Sequence, residues 1–303
     1  MSTRLTKTDY FVVYVILLMI ALFIGGFFLG TYIGKEKAAE EFAEYLPQNQ
    51  TEKEKKESRA AYSHTDFASY YYNVYIPFSS FRSDYIDFTK KMTGPEGSVD
   101  APAHIKIIQT KMKDTNKELE KAIATSSSPL LQKSYTEYVK SLHALEAAIQ
   151  TLAKSNLTKE QVDQFFAQNQ DIKKGQKHWL QGQNAFYEAI TLWESIYITR
   201  KAPKIFESVS SFPLNKWNSL NLHQKNELIS KVLLEKNIVS DFNPEDVTYY
   251  IDSLSTSKAD KLSQVGEAIE VLVASTSIIK GTFPQHMDRY KDTTSPMIPI
   301  FSK

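Results

Sequence analysis

The sequence predicts an all-α protein: a single N-terminal transmembrane helix, then an antiparallel long-helix bundle and a smaller C-terminal helical unit. Three observations carry this. The run from Tyr10 to Gly34 contains no charged side chain, and about 20 apolar residues span a bilayer as a helix. Beyond it, apolar residues recur at helical spacing over several long segments. Glycine is scarce, ten in the whole chain, with Gly25, Gly26, Gly30 and Gly34 inside the apolar run.

The elements follow in order. Residues 1–9 form a short tail with Arg4 and Lys7. Residues 10–34 form the span, which exceeds the 7–15 apolar residues of a cleavable signal. Lys and Arg nearly tie on its two sides, and the α-amino group tips the reading toward a cytoplasmic N-terminus and an extracytoplasmic domain. Residues 35–58 read as a stalk and charged tether, whose EKEKKE run balances its signs and so lacks the basic excess of a membrane-surface contact.

Residues 59–202 read as the bundle. Phe67, Tyr71, Val74, Phe78, Phe81, Tyr85 and Phe88 alternate steps of four and three, a coiled-coil seam. Pro77 interrupts it, and a proline inside a helix predicts a kink near Tyr75–Pro77. A second helix spans Ala103–Thr125, and Ser128 with Pro129 opens a third over Pro129–Ser155. Thr158 with Gln161 forms a capping box before Val162. Trp179, Phe186, Ile190, Trp193 and Tyr197 mark a long helix that ends near Lys201. Short connections between such helices favour antiparallel neighbours.

Residues 203–303 read as the C-terminal unit. One helix is expected over Leu214–Lys236. Asn243, Pro244, Glu245 and Asp246 give a strong helix start. A last helix over Ser257–Lys280 would stop at Gly281. Pro296 and Pro299 make the tail extended.

Composition excludes several function classes. Net charge is +1, from 36 basic and 35 acidic residues, which argues against nucleic-acid binding. Cysteine is absent, so disulfides, thiolate metal sites and a cysteine nucleophile are excluded. None of the six histidines has a glutamate three residues before it, as a di-iron bundle would require. No nucleophile elbow or phosphate loop occurs. No cofactor or metal is expected, and the chain reads as non-enzymatic.

Two candidate sites remain. Gly26, Gly30 and Gly34 share one face of the span, where small residues let two helices approach, so the functional reading is a homodimer; the alternative is that glycine is simply common in membrane helices. The aromatic seam of Phe67, Tyr71, Phe78, Phe81, Tyr85 and Phe88 is either bundle core or a groove for an apolar ligand or glycan. In outline the arrangement resembles single-pass bacterial envelope proteins with a helical extracytoplasmic domain. The functional expectation is a membrane-anchored interaction or scaffold protein with an envelope protein partner. A helical module capturing a small ligand, through residues such as Tyr71, Tyr135, Trp179 or Trp193, is the second reading. A carboxylate-based envelope enzyme is the third, and it requires buried acids converging in a cleft with shifted pKa values.

Overall fold

The computed structural model describes residues 61–94, 100–121, 128–201, 206, 209–254 and 262–290. The expected span at Tyr10–Gly34, its Gly26, Gly30 and Gly34 face, the tether and the C-terminal tail lie outside the described residues. Among the described residues no helix is long and apolar enough to cross a membrane.

What is described is helical, and an isolated bridge between Pro213 and Gln264 is its only β pairing. Helix α1 (His64–Tyr70) starts at a capping box between Ser63 and Asp66. A π-helical turn, Tyr71–Tyr75, joins it to α2 (Ile76–Thr93). This is how the chain accommodates Pro77. Proline has no N–H and crowds the preceding turn. Just ahead of it the Ile76 N–H reaches back five residues to the Tyr71 carbonyl. The expected break thus takes the form of one inserted residue, which shifts the seam: Tyr70 and Tyr75 are buried, and Tyr71 is only partly so.

Helices α3 (Ala101–Lys121), α4 (Pro129–Lys154), α5 (Lys159–Gln168) and α6 (Gln170–Glu194) follow. The Thr158–Gln161 capping box opens α5 as expected. A second π-helical turn, Ser195–Thr199, ends α6, with Arg200 in the left-handed region at φ 52°. The seam is core: Phe67, Phe78, Phe81, Tyr85 and Phe88 are all buried. Phe78 stacks on Tyr138 at 4.0 Å between ring centroids, and Tyr75 stacks on Phe186 at 4.3 Å.

The closest helix pairing is α4 against α6. It is antiparallel, because Ser134 meets Gly182 while Ser141 meets Gly175. Both pairs sit one heptad apart. The Ser134 hydroxyl donates to the Gly182 carbonyl at 2.6 Å and also pairs with the Tyr70 hydroxyl.

The C-terminal segment departs from expectation at two places. Leu214–Lys236 is not one helix. A 3₁₀ turn, Leu214–Ser219, stops at Leu220, and Asn221 then caps α7 (Leu222–Glu235) through a capping box with Gln224. An asparagine able to satisfy two end donors starts a new helix where continuous spacing suggested none. The last helix is also shorter. Helix α9 (Val265–Ala274) ends at Ser275, followed by Thr276 in the left-handed region at φ 50°. The Ser277 N–H closes that end on the Leu272 carbonyl. Gly281, at φ 76°, instead starts the short helix α10 (Thr282–Gln285). The Asn243–Asp246 start is as expected and opens α8 (Pro244–Asp252).

Two apolar clusters result. One fills the bundle and takes in Leu222, Phe283 and Tyr290 from the C-terminal segment. The other gathers Trp217, Leu228, Ile229, Val232, Leu233, Val247, Val265 and Ile269, and takes in Leu180 from α6. The C-terminal helices therefore pack on the bundle, with α7 lying along α6.

Candidate functional site

The α6–α7 junction is a polar seam within a largely apolar interior. Along α6, Asn184, Tyr187, Thr191 and Glu194 recur in steps of three and four, so they share one stripe. All four are buried. Opposite them α7 presents His223, Asn226, Glu227 and Ser230, also buried. The pairing is antiparallel. Asn221 Nδ2 donates to Glu194 Oε2 at 3.0 Å, the Thr191 hydroxyl donates to the His223 carbonyl at 3.4 Å, and the Ser230 hydroxyl donates to Asn184 Oδ1 at 3.2 Å. Lys231 closes the seam with ion pairs to Glu188 at 2.9 Å and Glu227 at 3.0 Å. Buried polar groups keep their place only when partnered, so such a seam fixes one register of two helices.

The seam opens at one end into a cleft of about 280 Å³, lined by Thr191, Glu194, Ser195, Lys201, Asn221 and Gln224 among others. Burial pushes the Glu194 carboxyl up to about 7, against a smaller opposing effect of the Asn221 hydrogen bond. Its other oxygen, Oε1, stands 3.9 Å from His223 Nε2, too far for a hydrogen bond. Burial holds the His223 imidazole down at about 4, so it is neutral near pH 7 and gives the carboxylate no counter-charge.

A second buried acid lies where α8 meets the π turn. The Tyr187 hydroxyl donates to Glu245 Oε2 at 2.7 Å and Oε1 at 2.8 Å, and the Tyr75 hydroxyl lies 3.3 Å from that of Tyr187. Burial pushes Glu245 up to about 7. Nearby, Arg82 donates to the Asp241 carbonyl at 3.2 Å and to Asn243 Oδ1, and its guanidinium lies 5.8 Å from the Trp179 ring. Both acids adjoin a π-helical turn, an irregularity often found at functional sites. Glu194 lies on α6 itself and Glu245 meets α6 one heptad earlier, at Tyr187, and each has its own partners.

Comparison with known proteins adds no assignment. No protein family, no curated protein and no solved structure matches this chain.

The sequence-predicted residues divide clearly. Trp179 and Trp193, named for an aromatic groove, are 1% and 4% exposed and enclosed by other rings. Among the described residues no aromatic side chain lines the cleft at Glu194. No group of three His, Asp or Glu side chains suited to a metal occurs among the described residues. Glu194, Asn221 and Tyr187 were not singled out from sequence, and Glu245 was read only as part of a helix start. The signal was present for the first, since Asn184, Tyr187, Thr191 and Glu194 form a second stripe beside the apolar one.

Proposed function

We propose that this chain is a membrane-anchored, non-enzymatic interaction or scaffold protein of the cell envelope, with a short cytoplasmic tail, one span and a helical extracytoplasmic domain. The uncharged Tyr10–Gly34 run supports the anchor, and its Gly26, Gly30 and Gly34 face supports pairing of two copies. The observation that carries the interaction reading is on the first long helix. Tyr72 is 61% exposed and Ile76 43% exposed, one helical turn apart, while Phe78, Phe81 and Tyr85 on the other side fill the core. Ile279, 64% exposed, belongs to the segment tied to α2 by Lys280 Nζ donating to the Ser83 hydroxyl at 2.7 Å. Large apolar side chains left outside a filled core suit contact with another protein.

The test is a photo-crosslinking residue at Tyr72 or Ile76 in the full chain in its membrane. The reading expects one protein adduct at both positions, lost on Ile76→Asp with the melting temperature unchanged. Adducts no different from those at the exposed Asn156 would contradict it.

A further inference from the structure

We infer that the cleft at Glu194 binds a small organic cation, a primary ammonium carried on a short polar molecule. The inference does not depend on how the chain is anchored. Among the described residues Glu194 is the one acidic side chain on the cleft wall. It is 7% exposed, its Oε2 is engaged by Asn221, and its Oε1 has only the neutral His223 ring at 3.9 Å. Among the described residues no Lys or Arg pairs with this carboxylate, since Lys201 shares the cleft wall but stands beyond ion-pair distance, and taking a charge out of water without a paired counter-ion is costly. The cleft wall also includes Ser195 and Thr199 of the π-helical turn that ends α6, where the helix dipole is negative and favours a cation.

The lining selects the kind of cation. A divalent metal draws on several charged oxygens, and here there is one carboxylate among hydroxyls and amides. The cleft, at about 280 Å³, holds more than a bare ion. Thr191, Ser195, Asn221 and Gln224 give hydroxyl and amide groups for a polar body. The groups facing Glu194 are Asn221 and His223 from α7, Tyr62 from the segment before α1, and Lys201 on the cleft wall. The phenol of Tyr62 is held well above its ordinary range by burial and by Glu194, so it stays neutral.

An ammonium favours the ionised carboxylate, so binding strengthens with pH through the range near 7. The experiment is a ligand-observed NMR titration of the full chain in detergent micelles with 2-aminoethanol, and with ethylene glycol as the uncharged control. The expected affinity falls about tenfold or more from pH 8 to pH 5.5, because a carboxyl titrating near 7 goes from mostly ionised to mostly neutral. Ethylene glycol should not bind, and Glu194→Gln, which keeps an acceptor for Asn221, should abolish 2-aminoethanol binding. An affinity independent of pH in the unaltered chain, equal binding of the diol, undiminished binding by Glu194→Gln, or no binding at all would each overturn the inference. The pH arm needs no substitution, so a poorly folding variant leaves the test intact.

Discussion

Replacing Gly182 with alanine should destabilise the protein, although alanine is the better helix former. Gly182 lies inside α6 where that helix crosses α4. An added Cβ would stand 2.6 Å from Tyr138 Cδ1, 2.7 Å from Cε1 and 3.1 Å from the Ser134 carbonyl oxygen. Neither neighbour yields easily. The Tyr138 ring is 3% exposed and stacked on Phe78, and the Ser134 oxygen is backbone. Alanine in place of glycine gains about 1 kcal/mol of helix propensity. Overpacking a filled interior costs about 1–3 kcal/mol, and a ring displaced from a stack puts this site at the upper end. The net expectation is a loss of about 1–2 kcal/mol, or a melting temperature lower by about 2–8 °C for a domain of this size. Thermal unfolding followed by circular dichroism reads it directly. The drop should come with faster amide exchange along α4 and α6, as the helices part where the Ser134 hydroxyl bonds the Gly182 carbonyl. A melting temperature equal to or above that of the unaltered chain would refute the close approach of α4 and α6.

Three further outcomes follow from buried contacts. Phe78→Ala removes a ring stacked on Tyr138 and set edge-on to Trp179, and should cost about 3–5 kcal/mol in denaturant unfolding; a stable variant that had lost only binding would sink the core assignment. Glu245 titrates near 7 when folded, above its ordinary 4.5, because of burial. Its stabilising effect is therefore complete below about pH 4.5 and lost as pH rises through 7. Glu245→Gln should remove that dependence and raise stability above pH 7 by up to roughly 3 kcal/mol, with little change at pH 4; parallel pH–stability curves for the two proteins would contradict it. Asp252 accepts from Trp217 Nε1 at 2.6 Å, from Lys225 Nζ at 2.7 Å and from the Tyr290 hydroxyl at 2.8 Å. Asp252→Ala should cost about 3 kcal/mol by leaving buried donors unpaired, and an unfolding midpoint within error of the parent would show the hub to be unimportant.

Helix existence was legible wherever a local rule decides it. Thr158 with Gln161, and Asn243 with Pro244 and Asp246, announce helix starts through their own hydrogen bonds and need no tertiary context. The ring seam was legible because burial on one face imposes its spacing. The interruption at Pro77 was legible but its form was not. Proline dictates a missing donor, and whether the chain bends or inserts a residue depends on neighbours such as Phe186 and Tyr138. Gly175 and Gly182 read locally as weak points of a helix. Their purpose shows only when Ser141 and Ser134 are set opposite. Glu194 and Glu245 illustrate the limit for sites: spacing says which face a carboxylate is on, and only the partner helix decides whether that face is buried. The stop at Leu220 was hidden because Trp217, Leu220 and Leu228 keep helical spacing across Asn221.

The central claim is an anchored domain on the outer side of a membrane, and topology tests it most directly. The chain has no cysteine, so a single one at the exposed Asn156, or at Ser2, is a clean probe. Intact cells expressing each variant are treated with a membrane-impermeant maleimide. The account predicts labelling at position 156 in intact cells, labelling at position 2 only after lysis, and both variants held in the membrane fraction. Labelling at position 2 but not 156 in intact cells, or release of the chain from membranes by alkaline wash, would contradict it.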